Sequence, residues 1–338
     1  MRILGFESSC DETAVAVVDG GHQVRASVVQ SQDELHETYG GVVPEIAGRA
    51  HAERIGTIVD RALAEAKTSF DEINAVAVAH RPGLIGSVLV GVAAAKSVAW
   101  RLGVPLVGVH HVEAHLWSGL LEDSVPSWPA LGLVVSGGHT SLYRVDAPFQ
   151  CTVLGRTIDD AVGEAYDKAA ALLGLGWPGG VRVDQAAQQG NDSVYNFPMP
   201  NLKDRPLDFS FSGLKTALRY GVLGLPGTTT RKPEELSMEE RNDAAASFQK
   251  AAVRTLIRGL RRARKQHPDV QSLLVGGGVS ANSRLRDELE SFAQDESLTL
   301  RIPPMKWCVD NAAMVAGLAC VRLQEEGPAS LSLAASPR

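Results

Sequence analysis

The chain has 338 residues, of which 44% are hydrophobic and 21% charged, and its formal net charge is −6. This composition is typical of a globular protein of about two domains and excludes a strongly basic nucleic-acid binder. Four widely spaced cysteines without a CxxC motif favour a reducing compartment over a disulfide scaffold. The first residues lack a secretory core, and the longest uncharged apolar run, residues 84–95, is too short to span a bilayer. We therefore expect a cytoplasmic protein that does not enter a membrane.

The first third of the chain predicts an α/β unit that opens with a hairpin. Its polar tip, Glu7-Ser8-Ser9-Cys10-Asp11-Glu12, joins two short apolar strands. The predicted elements are strands at 3–6, 13–18 and 24–30, a helix over 45–67, a strand at 73–79, a helix over 87–101 and a strand at 104–109.

Two histidines follow the last of these strands. His111 and His115 lie four residues apart in a segment, 111–121, with helical spacing, so they should occupy one face of a helix. Two imidazoles placed in this way can hold a divalent metal if other residues supply further ligands. The alternative is that both are simply polar residues on a helix flank, and this segment alone leaves both interpretations open.

The opening pattern returns after residues 126–129. Strands are predicted at 130–135, 140–145 and 153–157, and later a strand at 272–275, a helix over 283–294 and a strand at 298–302. We interpret this order as an internal duplication. It predicts an N-terminal half over 1–125, a C-terminal half over 126–325 with a helical insertion at about 158–265, and a loose tail over 326–338.

A duplicated α/β chain with two such hairpins is the plan of the actin, Hsp70 and sugar-kinase (ASKHA) class, in which two halves with mixed sheets face a central cleft. The glycines of the Ser136-Gly137-Gly138-His139 turn would let backbone amides approach a phosphate, and the Gly276-Gly277-Gly278 loop suits the adenosine end of the same ligand. Asp310 follows the strand that corresponds to the one before His111. By pseudo-symmetry it could complete the metal site from across the cleft, or it could instead cap the following helix.

The predicted helical insertion contains two further features. A helix expected over 159–173 carries Asp159, Asp160, Glu164 and Asp167. A long helix over 240–265 carries a cluster of cations near its end, which indicates either phosphate binding or a solvated face: Arg254, Arg258, Arg261, Arg262, Arg264 and Lys265.

Seven motifs, in order along the chain, resemble the family of tRNA N6-adenosine threonylcarbamoyltransferases. They lie at residues 7–13, 40–45, 110–115, 135–140, 159–168, 209–215 and 277–282. The resemblance implies an acyltransferase that moves a threonylcarbamoyl group from threonylcarbamoyl-AMP to N6 of adenosine 37, in tRNAs reading codons that begin with adenine.

The resemblance also implies the ligands and partners. It implies one divalent metal on His111, His115 and Asp310, iron(II) by resemblance with zinc or magnesium as alternatives, and a bound adenine nucleotide or threonylcarbamoyl-AMP. Besides tRNA, the implied bacterial partners are a paralogous dimer-forming subunit and a small ATPase. The family's substrate-binding positions, the Asp184 position being used only in some members, fall on Val134, Val135, Ser136, Gly137, Gly138, Asp167, Gly180, Asp184 and Asn282.

Asp11 and Glu12, at the tip of the first hairpin, are our candidates for the group that removes a proton during transfer. The chain departs from the family's usual Gly-Pro-Gly-Leu loop, because it reads Arg81-Pro82-Gly83-Leu84. Its tail is also shorter than usual.

Three other functions compete with this interpretation. A metalloprotease would need Glu directly after the first histidine, whereas Glu113 is two residues past His111, about 200° around a helix. A small-molecule kinase of the same class would need a sugar-sized pocket, and a non-catalytic nucleotide-binding module would transfer nothing.

Overall fold

The computed structural model describes residues 1–122, 126–148, 150–200, 202–225, 227 and 230–338. Contacts divide the chain into two compact units. The first contains Met1–Val125, Pro148–Gln150 and Ile302–Arg338, and the second contains Pro126–Ala147 and Cys151–Arg301. Residues 123–125, where the predicted boundary between the halves falls, lie outside the described part of the chain.

Within the described ranges the chain forms ten strands and ten α-helices. The strands are β1 (Arg2–Glu7), β2 (Thr13–Asp19), β3 (Gln23–Gln30), β4 (Ala75–Arg81), β5 (Leu106–His110), β6 (Ala130–Val135), β7 (Thr140–Val145), β8 (Cys151–Arg156), β9 (Ser272–Gly276) and β10 (Thr299–Arg301). The α-helices are α1 (Asp33–His36), α2 (Pro44–Glu65), α3 (Ile85–Leu102), α4 (His111–Ser118), α5 (Val162–Leu173), α6 (Gly179–Ala187), α7 (Ser212–Leu223), α8 (Met238–Gln266), α9 (Ser283–Asp295) and α10 (Ala312–Glu325).

The first unit is built on a mixed sheet with the order β3-β2-β1-β4-β5. Strands β1, β2 and β3 pair antiparallel, while β4 is parallel to β1 and to β5. Alternate residues of β1 face opposite sides, so a strand that is buried throughout needs cover on both faces. Leu4 and Phe6 pack in a core with α2 and α3. Gly5 lies against α10, so closely that a Cβ there would come within 2.5 Å of the carbonyl oxygen of Ala312.

The C-terminal end of the chain belongs to this first unit, whereas the sequence analysis assigned residues up to 325 to the other half. The reason is that α10, whose first nine residues are buried, packs on β1, β2, β4 and α4. The tail over 326–338, expected to be loose, also makes ordered contacts. Ala329 N–H donates to the Leu106 carbonyl at 2.8 Å and Ser336 N–H donates to the His80 carbonyl at 2.9 Å.

The second unit repeats the architecture. Its sheet has the order β10-β9-β6-β7-β8, in which β6, β7 and β8 pair antiparallel and β9 is parallel to β6 and to β10. Both units are therefore α/β halves with mixed sheets of the same strand scheme, which confirms the duplicated ASKHA fold class. Between β8 and β9 the second unit carries α5, α6, α7 and α8, where the first unit has α2 as its long helix.

Two local predictions in the insertion were wrong. Helix α5 begins at Val162 rather than at 159, because Asp159 instead accepts hydrogen bonds from the N–H groups of Phe211 and Ser212 at 2.8 and 3.3 Å. Residues 177–180 read Trp-Pro-Gly-Gly, a sequence that predicts a turn, but they lead into α6, which packs on α5 and α8.

Helix α3 is the one helix in the described ranges that is long and apolar enough to cross a membrane by length and composition. Its buried face, which includes Val88 and Val92, packs in the core of the first unit.

Candidate metal centre and substrate-binding turns

The two predicted histidines lie side by side at the start of α4. Strand β5 ends at His110, and the chain turns directly into the helix, so His111 and His115 fall one turn apart. Both are buried, and their ring centroids are 4.7 Å apart. The sequence spacing therefore produces the paired imidazoles that it predicts.

Asp310 joins these histidines within the first unit. Its Oδ1 lies 3.1 Å from Nε2 of His115, and its Oδ2 lies 3.7 Å from Nε2 of His111. One ligand atom from each of the three residues falls within 4.8 Å of the others. Asp310 was predicted to reach the histidines from the other half, but it belongs to the same unit because α10 packs there. It does not cap α10 either, since Asn311 accepts the capping hydrogen bond from Met314 N–H at 2.9 Å.

The three residues fit a divalent cation. Nε2 of His115 lies 3.1 Å from Asp310 without hydrogen-bond geometry, so among the described residues neither nitrogen of this fully buried ring has a hydrogen-bond partner. A buried unsatisfied imidazole is costly, and coordination would satisfy it. Two ligands of one ion with bonds of about 2.1 Å lie about 3.0 to 3.4 Å apart, which matches the distance from His115 to Asp310. Two imidazoles and one carboxylate suit zinc or iron(II) and leave positions open for substrate oxygens.

Glu7 fixes the orientation of His111. This buried carboxylate accepts a hydrogen bond from Nδ1 of His111 at 2.9 Å and another from Ser9 N–H at 2.6 Å. Because an ionised carboxylate can only accept, Nδ1 carries a proton, so it is Nε2 that faces Asp310 and that would bind a metal once its own proton is lost. Burial lowers the pKa of His111, but the charges of Glu7 and Asp310 outweigh this and raise it to about 9. The site thus attracts positive charge.

The candidate proton acceptors, Asp11 and Glu12, lie between β1 and β2 and are half-buried. Burial, followed by the charges of Asp310 and Asp11, raises the pKa of Glu12 well above its ordinary value. These two carboxylates therefore belong to the same electrostatic environment as the His111, His115 and Asp310 group.

The predicted substrate turn lies at the end of β6 in the second unit. Val134 and Val135 are fully buried, side chain and backbone alike. Ser136 closes the turn, because its N–H donates to the His139 carbonyl at 2.8 Å and its Oγ accepts from His139 N–H at 3.1 Å. Gly137 and Gly138 are exposed, and no described residue accepts a hydrogen bond from their N–H groups.

Helix α5 begins against this turn. A Cβ at Gly163 would lie 2.6 Å from the Ser136 carbonyl oxygen, so glycine permits the approach, and Gly163 N–H donates to that oxygen at 3.2 Å. Because the N–H groups of Val162 and Gly163 already donate, to Oγ1 of Thr140 and to Ser136, the N–H groups that this turn leaves for a phosphate or another anion are those of Gly137 and Gly138.

The structure brings two other predicted substrate residues into direct contact. Nδ2 of Asn282 donates to Oδ1 of Asp184 at 3.1 Å and to Oε1 of Gln249 at 2.8 Å. Nε2 of Gln249 also donates to Asp184, at 3.0 Å. Oδ1 of Asn282 caps α9 by accepting from Leu285 N–H at 3.0 Å. The side chains of Asp184, Asn282 and Gln249 thus form one network.

Asp167 and Gly180 lie where α5 meets the start of α6. Oδ1 of Asp167 accepts a hydrogen bond from Gly179 N–H at 3.0 Å. Gly180 is half-buried, and a Cβ there would meet no atom within 4 Å. Space for a ligand is therefore present beside Gly180.

Comparison with known proteins identifies the family. A family model described as tRNA N6-adenosine threonylcarbamoyltransferase matches residues 23–317. The protein of this name from Trichlorobacter lovleyi is 52% identical over 94% of this chain and 90% of its own length. The chain belongs to the tRNA N6-adenosine threonylcarbamoyltransferase family.

Of two further comparisons, one concerns the family and the other the fold alone. The threonylcarbamoyltransferase of Bacillus subtilis is 45% identical over 96% of this chain and 91% of its own length. The crystal structure of HypF from T. kodakarensis shares the fold, with a TM-score of 0.61 and 15% identity over 96% of this chain and 48% of that one. Family membership favours the predicted acyltransferase over a metalloprotease, a small-molecule kinase or a non-catalytic nucleotide-binding module.

Sequence reasoning missed two residues of this threonylcarbamoyltransferase. Glu7 lies in the first motif, residues 7–13, but the motif suggested no role for it. Its position directly after the apolar strand predicted at 3–6 was a signal. Gln249, in the middle of α8, gave no signal, since its link to Asp184 and Asn282 depends on tertiary packing. Arg81, which replaces the family's usual glycine, is exposed at the end of β4.

Proposed function

We propose that this chain transfers the threonylcarbamoyl group of threonylcarbamoyl-AMP to N6 of adenosine 37, in cytoplasmic tRNAs reading codons that begin with adenine. The observation that carries the proposal is the 52% identity to a curated threonylcarbamoyltransferase over 94% of the chain. Its composition is compatible, because tRNA contact requires only a local basic patch.

The reaction joins a poor nucleophile to an activated donor. A C–N bond forms between the carbamoyl carbon and N6, the C–O bond to the phosphate of AMP breaks, and N6 loses one proton. The protein must position both reactants and stabilise negative charge on the carbamoyl oxygen and the departing phosphate. The exposed N–H groups of Gly137 and Gly138 support an anion-binding role, and Asp11 or Glu12 is our candidate acceptor for the N6 proton.

We propose that Asp167, Gly180, Asp184 and Asn282, with the backbone of Val134, Val135 and Ser136, complete the donor site. Asp184 and Asn282 share their hydrogen bonds with Gln249, so we assign Gln249 to positioning them. A carboxylate and amides held in this way suit the hydroxyl groups of a ribose or of a threonyl side chain.

His111, His115 and Asp310 would hold one divalent ion, iron(II) by resemblance, with zinc or magnesium as alternatives. When bound, such an ion supplies positive charge that stabilises anionic oxygens of the donor. The support is the buried His115 ring without hydrogen-bond partners among described residues, together with its 3.1 Å distance from Asp310.

We also propose the bacterial partners that the family resemblance implies, a paralogous subunit and a small ATPase. An exposed apolar stripe on α3 supports the first of these. Ile85, Leu89 and Trp100 are 51, 56 and 74% exposed and lie within about 60° of one another around the helix, with the half-buried Lys96 on the same face between Leu89 and Trp100. Apolar stripes of this kind mark helix-packing interfaces, and a paralogous subunit of the same fold could supply the matching helices.

The decisive experiment measures transfer to adenosine 37 by nucleoside mass analysis, with purified threonylcarbamoyl-AMP, tRNA and partner subunits. Wild-type protein should form the modified base. The His111→Ala/His115→Ala variant should lose both bound metal and transfer, whereas His22→Ala, a histidine outside the group, should retain both. Wild-type transfer by the double variant would refute the role of the metal, and absence of product from the wild type would refute the function itself.

A further inference from the structure

Helix α8 carries five cations on one face. Arg254, Arg258, Arg261, Arg262 and Lys265 fall within an arc of about 100° and extend about 17 Å along the axis. Arg254, Arg261 and Lys265 are exposed, and the other two are half-buried. We call these five residues the basic face of α8.

Most of the basic face lacks acidic partners. No described residue places a carboxylate oxygen within 4.0 Å of the side-chain nitrogens of Arg254, Arg258, Arg261 or Lys265. Other cations of the same helix are paired, since Lys250 lies 2.8 Å from Asp192 and Arg264 lies 3.3 Å from Glu296. Lys250 and Arg264 thus have acidic partners, whereas four of the five cations of the basic face have none among the described residues.

The half-buried arginines of the basic face are held in place. Arg258 donates to the carbonyl of Pro200, and Arg262 donates to the carbonyl of Pro206 at 3.0 Å. Burial, and then the charge of Arg262, lowers the pKa of Arg258. Two guanidinium groups that repel each other are stabilised when an anion binds between them.

A small surface depression lies beside these arginines, with Phe209 and Ser210 in its lining. Asp208 also lines the depression, and its carboxylate already has partners. It accepts from Arg156 N–H at 2.9 Å and lies 2.8 Å from Nε of Arg205. The depression therefore combines two fixed guanidinium groups with the hydroxyl of Ser210, which already donates to Oδ2 of Asp159 at 2.5 Å.

We propose that the basic face of α8 binds the phosphate backbone of the tRNA substrate. The proposal rests on the proposed function, which requires this net-acidic protein to hold a polyanion. A linear array of cations over about 17 Å fits a run of successive phosphates, whereas a single small anion would use only one or two of them. Arginines also match phosphate oxygens through paired N–H groups.

The test removes the three exposed charges of the basic face, Arg254, Arg261 and Lys265. The variant Arg254→Ala/Arg261→Ala/Lys265→Ala is compared with a control that removes three exposed cations of the first unit, Arg61→Ala/Lys67→Ala/Arg101→Ala. Fluorescence anisotropy with an unmodified tRNA transcript gives the Kd between 50 and 300 mM KCl, about the range over which counterion release is measured.

Each lost phosphate contact should reduce the slope of log K against log salt by about 1, so the α8 variant should lose about 3 and the control should lose none. We expect binding at least tenfold weaker at about 100 mM salt, and a raised KM for tRNA with little change in kcat. Equal slopes and Kd values for the α8 variant and wild type would overturn the proposal.

A charge-reversed variant, Arg254→Glu/Arg261→Glu, provides a second measurement and should bind still more weakly than the alanine variant. Failure of the proposed function would look different. In that case the wild-type protein would bind tRNA with a salt dependence steeper by about 3 than that of the α8 variant, but it would form no threonylcarbamoyladenosine. The two failures are therefore distinguishable.

Discussion

Replacing Glu7 by Gln should weaken metal binding without removing any metal ligand. Each carboxylate oxygen of Glu7 now accepts one hydrogen bond, Oε1 from Ser9 N–H at 2.6 Å and Oε2 from His111 Nδ1 at 2.9 Å. A glutamine amide has a single acceptor oxygen. One of the two donors would then face an NH₂ group, in a site where Glu7 is fully buried.

The magnitude follows from these contacts. The substitution removes one charge-assisted hydrogen bond and the negative charge that favours the Nδ1–H tautomer of His111. Changes of this kind at residues supporting a metal ligand cost about 10- to 100-fold in affinity, which is about 1.4 to 2.7 kcal/mol. We expect a shift in this range for Glu7→Gln, and a shift at its upper end for Glu7→Ala.

The assay is competition for Zn²⁺ between the metal-free protein and a chromogenic chelator, with thermal unfolding of each metal-free variant as a check on folding. Glu113→Gln is the matched control, since it removes a carboxylate from α4 two residues from His111 and no described contact joins it to the three ligands. If Glu7→Gln bound Zn²⁺ as tightly as wild type, the orienting role of Glu7 would be refuted.

Two further predictions concern surfaces away from the metal. Leu89→Asp on the apolar stripe of α3 should abolish co-elution with the paralogous subunit while Ser97→Asp, on the same exposed helix, should reduce it less; co-elution of the Leu89 variant would exclude this interface. Asp192→Asn should lower the free energy of unfolding at pH 7 by about 1 kcal/mol, a value reduced for partial exposure. Lys250 and Arg284 hold the pKa of Asp192 at about 2, below its ordinary 3.8. This stabilisation is therefore present above the unfolded pKa and lost as pH falls through the folded value, so acid unfolding of the variant should show a smaller dependence between pH 4 and 2.

Local patterns predicted the elements whose burial is periodic or continuous. The hairpin of β1 and β2 and the strands β6 and β7 lie where short apolar runs indicate them. The spacing of His111 and His115 likewise defined one face of α4, because a helix of known pitch fixes that geometry. These features depend on residues that are near one another in sequence.

The features that sequence reasoning missed depend on distant partners. Helix α6 follows Pro178 and contains two glycines at its start, which favour a turn, and its helical form depends on packing against α5 and α8. Asp159 resembles an acidic residue of a first helical turn, yet it accepts hydrogen bonds from residues about fifty positions later. The tail lacks side-chain periodicity but pairs through its backbone with Leu106, which no side-chain pattern reveals.

The position of Asp310 shows how a correct residue can be predicted for an incorrect reason. Pseudo-symmetry predicted that it would reach the histidines from the other half, whereas the burial of α10 places it in the same unit. The competing role, capping α10, is filled by Asn311. The amide of Asn311 also donates to the carbonyls of Val309 and Trp307 at 2.9 and 3.3 Å.

One buried side chain thus fixes the start of the helix and the backbone just before Asp310. Because Asn311 accepts the capping hydrogen bond at the start of α10, the carboxylate of Asp310 is not needed there. It lies against the two histidines instead. Asn311 therefore caps the helix and Asp310 is the candidate metal ligand, whereas the sequence alone is compatible with either residue in either role. The packing of α10 decides between them, since it sets which of the two side chains points back along the helix.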